Sequence, residues 1–260
     1  MGSKNSSSVK IGDTNYNKYG TLMEVIEYRG YDDITVKFEN GITQHTNSDS
    51  FKKGQVHSYL DKTICGKGYI GKNFAEPIKD KLSYKYWSSM IRRCYNSNLR
   101  NKRYYSDVEV CDEWLNYSKF KKWFDKNYWK CDETLDIDKD ILFKGNKIYS
   151  PQTCLLVPHK INVLFCKANK IRGKYPLGVS YTINKQGIKY IYAQTFEKQK
   201  RKYAYVGKET QDVILRAFNV YKESKENHLK YIADLYKSKY PSFPQKLYDA
   251  LYNYQVEITD

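Results

Sequence analysis

No stretch of this 260-residue chain approaches the roughly 18 uninterrupted apolar residues that mark a membrane span. The opening MGSKNSSS has no apolar core behind its charge and so does not read as a signal peptide. A soluble, cytoplasmic chain without a membrane partner is the expectation. The six cysteines (Cys65, Cys94, Cys111, Cys131, Cys154 and Cys166) contain no CxxC pair, which removes the paired-knuckle zinc spacing and any disulfide framework. Free thiols are favoured over a zinc site assembled from Cys94, Cys111, Cys131 and Cys154. Acidic residues are also in deficit: 29 against 45 lysines and arginines, a net charge of +16 and a pI near 9.3. A field of that sign attracts polyanions and raises encounter rates with them.

The excess is concentrated. Between residues 171 and 208 lie nine lysines or arginines against one acidic residue, Glu197. Tyr175, Tyr181, Tyr190, Tyr192, Phe196, Tyr203 and Tyr205 are threaded through them. Cationic and flat apolar groups interleaved on one backbone can neutralise phosphates and also touch bases or sugars, so nucleic-acid binding is favoured over the blander reading of a solvated basic sheet.

Periodicity divides the remainder. Residues 1–18 are rich in Ser, Asn, Gly and Lys and read as a disordered leader. Residues 19–62 alternate in period two around the Asn40-Gly41 turn and predict a small SH3-like β-module, whose protein partner, if it has one, nothing in its residues identifies. Residues 63–80 read as a linker. Trp87, Met90, Ile91 and Cys94 then fall at helical spacing beside Arg92 and Arg93. A second helix, from Asp112, aligns Trp114, Tyr117, Phe120, Trp123 and Phe124. Between them, Arg100, Lys102 and Arg103 form a basic loop suited to phosphate or simply to water. In the last third, Val179 to Ile183, Gly187 to Phe196 and Lys202 to Lys208 predict three strands. A long helix follows, burying Ile214, Ala217, Phe218, Tyr221, Leu229, Ile232 and Leu235, and Pro241 and Pro244 end it before a short closing helix. One helix covers one face of such a sheet. The other is left for a ligand, and alternation assigns it Thr182, Tyr192, Gln194, Tyr203 and Tyr205, with Lys189, Lys200 and Arg201 at its rim and Lys185 and Lys202 adding charge.

Gly178-Val179, Tyr192-Ala193-Gln194, Val206-Gly207 and the helix after them resemble an AP2 DNA-binding domain of the kind attached to phage and mobile-element HNH endonucleases, over residues 174–260. Residues 81–168 resemble the companion HNH module in degenerate form: Leu135-Asp136-Ile137-Asp138-Lys139-Asp140-Ile141, Gly145-Asn146-Lys147, Thr153 to Pro158 and Ile161-Asn162 follow a ββα-metal layout. The resemblance implies an α+β multidomain chain whose centre places Asp138 and Asn162 as ligands of Mg²⁺ or Mn²⁺. Lys139 or Asp140 falls where the histidine base belongs, and Thr153 stands near the central asparagine position. His159 or Asp140 is then the candidate base. An exposed lysine is already protonated at neutral pH and an exposed aspartate is a weak base, so the missing imidazole departs from the chemistry the motif needs.

Two functions follow from the resemblance: binding of double-stranded DNA with metal-dependent strand cleavage, or, as the alternative, a catalytically inactive DNA-binding regulator or anti-defence protein in a phage host's cytoplasm. A third use of Asp136, Asp138 and Asp140 is simple decoration of a strand's solvent face. Retained Asp138 and Asn162 favour cleavage; the absent histidine favours the inactive binder.

Overall fold

The computed structural model describes residues 8–71, 81–98, 105–165, 174–198 and 200–260. It is a mixed α+β structure of several small sheets, divided into two compact units: Met1–Lys126 with Lys147–Gln152, and Asn127–Asn146 with Thr153–Asp260. No described helix is long and apolar enough to cross a membrane. Arg100, Lys102, Arg103, Cys166 and much of the expected linker lie outside the described residues.

The first unit begins with an antiparallel meander of β1 (Thr14–Tyr16), β2 (Leu22–Gly30), β3 (Asp33–Phe38) and β4 (Thr43–Thr46). Alternation along β2 and β3 turns Met23, Val25, Ile34, Val36 and Phe38 to one face. There they meet Phe51 of α1 (Ser48–Lys52), Val9 and Val56. Val9 and β1 fall inside the stretch expected to be a leader; three polar or aromatic residues carry no apolar alternation, so tertiary pairing rather than local pattern makes that strand. Asn17 anchors the same region, its amide donating to buried Asp61 at 2.7 Å.

Next come α2 (Lys81–Tyr95), α3 (Asp112–Leu115) and α4 (Tyr117–Asn127). The single helix expected from Asp112 breaks at Asn116, which is extended and whose side chain accepts from the Ser118 amide and hydroxyl at 3.0 and 2.7 Å. Trp87, Met90 and Ile91 are buried, as are Trp114, Tyr117, Phe120 and Phe124. The Trp87 indole donates to the Trp114 carbonyl at 2.7 Å, so the aromatic core is also hydrogen-bonded. Two short parallel strands, β5 (Glu109–Val110) and β7 (Ile148–Tyr149), complete the unit.

The second unit pairs β6 (Leu135–Asp138) with β8 (Leu155–Pro158), antiparallel, followed at once by α5 (His159–Val163). A second sheet, in the order β11-β10-β9, comprises β9 (Val179–Ile183), β10 (Lys189–Glu197) and β11 (Lys200–Lys208). Across it lies α6 (Gln211–Lys239), whose first turn is capped by the Thr210 hydroxyl accepting from the Val213 amide at 3.2 Å. Val179, Ile191, Ala193, Val213, Ala217, Phe218 and Tyr221 form the shared core, with Ile214 and Val206 partly buried against it. Gly178 fits beneath the helix at φ +78°, where a Cβ would stand 2.0 Å from the Tyr221 ring. Farther along α6, Tyr236 donates to Glu133 at 2.8 Å, and the Trp129 ring packs edge-on against Phe243 of the segment leading into α7 (Gln245–Tyr252).

Candidate nucleic-acid face and the expected metal centre

Tertiary register decides which side chains share the open side of the β11-β10-β9 sheet. Ile191 and Ala193 point into the α6 core, so Tyr190, Tyr192 and Gln194 point away from it. Directly opposite residues share a face: Thr182 pairs with Tyr190, Ser180 with Tyr192, Tyr205 with Tyr192 and Tyr203 with Gln194. A bulge between Ile191 and Tyr192 accommodates Val206 and keeps both β11 tyrosines outward. The two residues are 58% and 57% exposed, which leaves ring and hydroxyl available. Tyr205 lies 5.7 Å from Tyr192 and 6.1 Å from Tyr190, centroid to centroid, so the rings make one patch. Thr182, Tyr192, Gln194, Tyr203 and Tyr205 are therefore brought together, with Tyr190 added to the set.

The basic residues divide differently. Arg201 is two positions from Tyr203, but Phe196, which pairs opposite it, turns to α6 and stacks on His228, so the alternation that sets the tyrosine face does not extend to Lys200, Arg201 and Lys202. The Lys202 ammonium is paired with Glu197. Lys189 also lies on the α6 side, 3.5 Å from Glu209 and over the Tyr181 ring at 5.2 Å. Lys185 sits in the exposed β9–β10 turn. Glu209 is a hub: Tyr175 donates to it at 2.6 Å, and Lys174 lies 3.2 Å away, which holds the Glu209 carboxyl below the usual range. Burial and that hydrogen bond push the Tyr175 phenol up to about 12.

Behind Arg201 lies a feature that sequence reasoning missed. Lys225 and His228 are buried on the apolar side of α6. The His228 ring stacks on Phe196 with centroids 4.5 Å apart and planes 7° from parallel, while the Lys225 ammonium donates to the Leu164 carbonyl at 2.9 Å. Burial, then the charge of Arg201, brings Lys225 down to about 8; burial, then Lys225, lowers His228. Both occupy positions in the stripe that runs Tyr221, Lys225, His228, Leu229, Ile232, which was the available signal.

The expected metal set does not converge. Asp138 turns back on its own loop, its Oδ1 accepting the Asp140 and Ile141 amides at 2.9 and 2.7 Å, and burial holds its carboxyl above the usual range. Lys139 is buried, its ammonium binding both oxygens of Asp140 at 2.9 and 2.8 Å and the Asn146 carbonyl at 2.8 Å. Asn162 donates to Asp136 Oδ2 at 3.0 Å, not to Asp138, and His159 Nδ1 meets the same oxygen at 2.7 Å. The ββα segment thus assembles Asp136, His159 and Asn162. Thr153, in the turn before β8, lies 3.8 Å from the Cys154 sulfur. A hard divalent cation needs several oxygens directed at one point, whereas Asp138 Oδ1, both Asp140 oxygens and the Asn162 amide nitrogen are engaged by other protein groups. Among the described residues no group of three or more His, Cys, Asp or Glu side chains could hold a metal ion, and Cys65, Cys94, Cys111, Cys131 and Cys154 are free thiols.

No protein-family profile, curated protein or solved structure matches this chain.

Proposed function

We propose that the chain binds double-stranded DNA through the open face of its β11-β10-β9 sheet and does so without cutting it. The observation that carries this reading is the tyrosine and glutamine face itself: more than half of Tyr203 and Tyr205 is exposed beside Gln194 and Thr182, on a chain of net charge +16. A twisted three-stranded sheet fits the major groove, where the Gln194 amide and the tyrosine and threonine hydroxyls meet base edges and Arg201 meets a phosphate. Three strands backed by one helix, with Gly178 close under it, agree with the AP2-like reading; β6, β8 and α5 follow the order of an HNH-like centre. The inactive-binder alternative is preferred over cleavage because Asp138, Lys139 and Asp140 are committed to internal bonds, which leaves the ββα segment a structural part of the second unit.

Fluorescence anisotropy on a duplex enriched from a random pool, compared with its scrambled counterpart, tests the reading. Gln194→Ala and Tyr192→Ala should narrow the difference between the two duplexes by about 1 to 3 kcal/mol. Arg201→Ala should weaken both equally and flatten the dependence on salt by about one counterion. Binding that ignores salt, or is untouched by all three substitutions, would remove the proposal. Duplex left intact with Mg²⁺ and with Mn²⁺ is the expected result; cutting by wild type that Asp138→Ala abolishes would restore the nuclease.

A further inference from the structure

Charge in the first unit is unevenly spread. Residues 8–71, which carry the β1–β4 meander, hold eight lysines or arginines and eight acidic residues. α2 and α4 together hold eight cations and one carboxylate, Asp125, which Lys121 claims at 2.6 Å. The two helices pack together, the Ser83 hydroxyl lying 2.7 Å from that of Tyr117 and the Tyr86 ring 5.2 Å from Phe124. Between them in the chain, Asp112 and Glu113 stand in the first turn of α3, where a carboxylate favours the helix end. Tyr117, Phe120 and Phe124 bury one side of α4, and Lys119, Lys122 and Lys126 stand exposed on the other. Three and four residues apart, these lysines form one row, about 10 Å long at about 1.5 Å per residue. Among the described residues none of the three has a carboxylate partner. The row costs the helix stability: Lys119 in the first turn opposes the helix dipole, and Lys122 and Lys126 repel each other one turn apart. A face serving only solubility carries i, i+4 pairs of opposite charge, as Lys121 and Asp125 do on this same helix.

We propose that the Lys119, Lys122 and Lys126 row of α4 is a second nucleic-acid surface, a sequence-independent contact to the phosphate backbone of duplex DNA. Each strand of a duplex offers a phosphate about every 3.4 Å along the axis, so a row of about 10 Å spans about three of them. Lysine stems are flexible and end in compact charges, which neutralise phosphates and read no base edge. An anionic membrane is the poorer occupant, because a helix lying on lipid inserts an exposed apolar face and the apolar face of α4 is in the core. The row belongs to the first unit and the tyrosine face to the second, so either can fail without the other.

The full chain carrying Lys119→Gln, Lys122→Gln and Lys126→Gln tests the row. Its control carries Lys10→Gln, Lys37→Gln and Lys62→Gln, three exposed lysines of the same unit with the same loss of charge. Fluorescence anisotropy on a short scrambled duplex between about 50 and 200 mM salt gives the slope of log affinity against log salt. Removing the row should flatten that slope by about 2.7, a roughly fortyfold smaller loss of affinity over the interval, while the control keeps the wild-type slope. Lys122→Glu alone, which exchanges repulsion of Lys126 for attraction, should raise the thermal midpoint while weakening duplex binding. Equal slopes for wild type and the row variant overturn the surface, even where Gln194→Ala still narrows discrimination on the sheet face. Equal flattening by both triple variants also overturns it, since net charge alone would then set binding. Phosphatidylserine vesicles that retain wild type but not the row variant, with duplex affinity unchanged between the two, reassign the row to a membrane and overturn it as well.

Discussion

Lys225 should make the second unit more stable at alkaline pH than at neutral pH. The residue is 6% exposed, its ammonium rests over the Phe196 and Phe165 rings at 5.1 and 5.9 Å, and it donates to the Leu164 carbonyl. Burial and Arg201 lower its pKa from 10.5 to about 8. Below that value the folded and unfolded forms both carry the proton, and the buried charge weighs fully against folding. Above it the folded protein releases the proton while the unfolded chain keeps it up to about 10.5. The unfolded state then binds more protons, so stability rises with pH. The interval between the two pKa values, at about 1.4 kcal/mol per unit, gives roughly 3 kcal/mol in all and about 2 kcal/mol by pH 9.5.

Lys225→Met keeps the length and apolar contact of the side chain and removes the proton. Urea unfolding followed by circular dichroism, at pH 7 and at about pH 9.5, should show wild type gaining about 2 kcal/mol on the variant between the two conditions. The difference between proteins is the quantity to use. Tyr175 is raised to about 12, which lowers stability as pH climbs past the ordinary phenol value, and that contribution is common to both chains. Parallel pH curves would mean the folded protein keeps the Lys225 proton, and the account of a desolvated amine behind Arg201 would be wrong.

Three further substitutions test the packing. Phe218→Ala empties the centre of the α6 and sheet core and should cost about 3 to 5 kcal/mol, enough to unfold the second unit; a folded variant in a thermal scan would argue against that packing. Gly178→Ala places a Cβ 2.0 Å from the Tyr221 ring at a backbone angle reserved for glycine, and should destabilise more than the roughly 1 kcal/mol of the backbone effect alone; combining it with Tyr221→Ala should recover part of the loss in a double-mutant cycle. Lys139→Met leaves Asp140 and the Asn146 carbonyl without their donor and should cost about 1 to 3 kcal/mol in urea while leaving duplex affinity unchanged; a stable variant with weakened affinity would return Lys139 to the interface.

The C-terminal sheet and helix were legible because their signals are local. Period-two alternation in Tyr192-Ala193-Gln194 assigns the faces, and the apolar stripe from Val213 to Tyr221 assigns the helix side. Register then adds what alternation within one strand cannot: which strand lies beside which, and that the bulge at Ile191/Tyr192 brings Tyr205 opposite Tyr192. The run Lys200-Arg201-Lys202 reads as one basic block, yet Phe196, opposite Arg201, turns to α6, so alternation within the strand does not carry the tyrosine face to this end of the sheet. β1 was hidden for the opposite reason, since Thr14-Asn15-Tyr16 has no pattern until β2 supplies a partner.

In the ββα segment the contacts expected at Asp138 fall one strand period earlier, at Asp136. Asp136 and Asp138 point to the same side of β6, so either satisfies the alternation that the motif requires. Their surroundings differ. Asp138 ends the strand, where the free amides of Asp140 and Ile141 lie within reach of its carboxylate and claim it. Asp136 lies one period earlier, opposite Val157, where the chain from β8 into α5 carries His159 and Asn162 past it, three residues apart and thus on one side of the helical turn. Aspartate at a strand end beside unpaired amides is drawn into a turn more strongly than toward a helix residue, because charge-assisted bonds to two local amides need little chain ordering. Lys139 reinforces that choice. Its ammonium turns inward and closes the loop from Asp140 to Asn146.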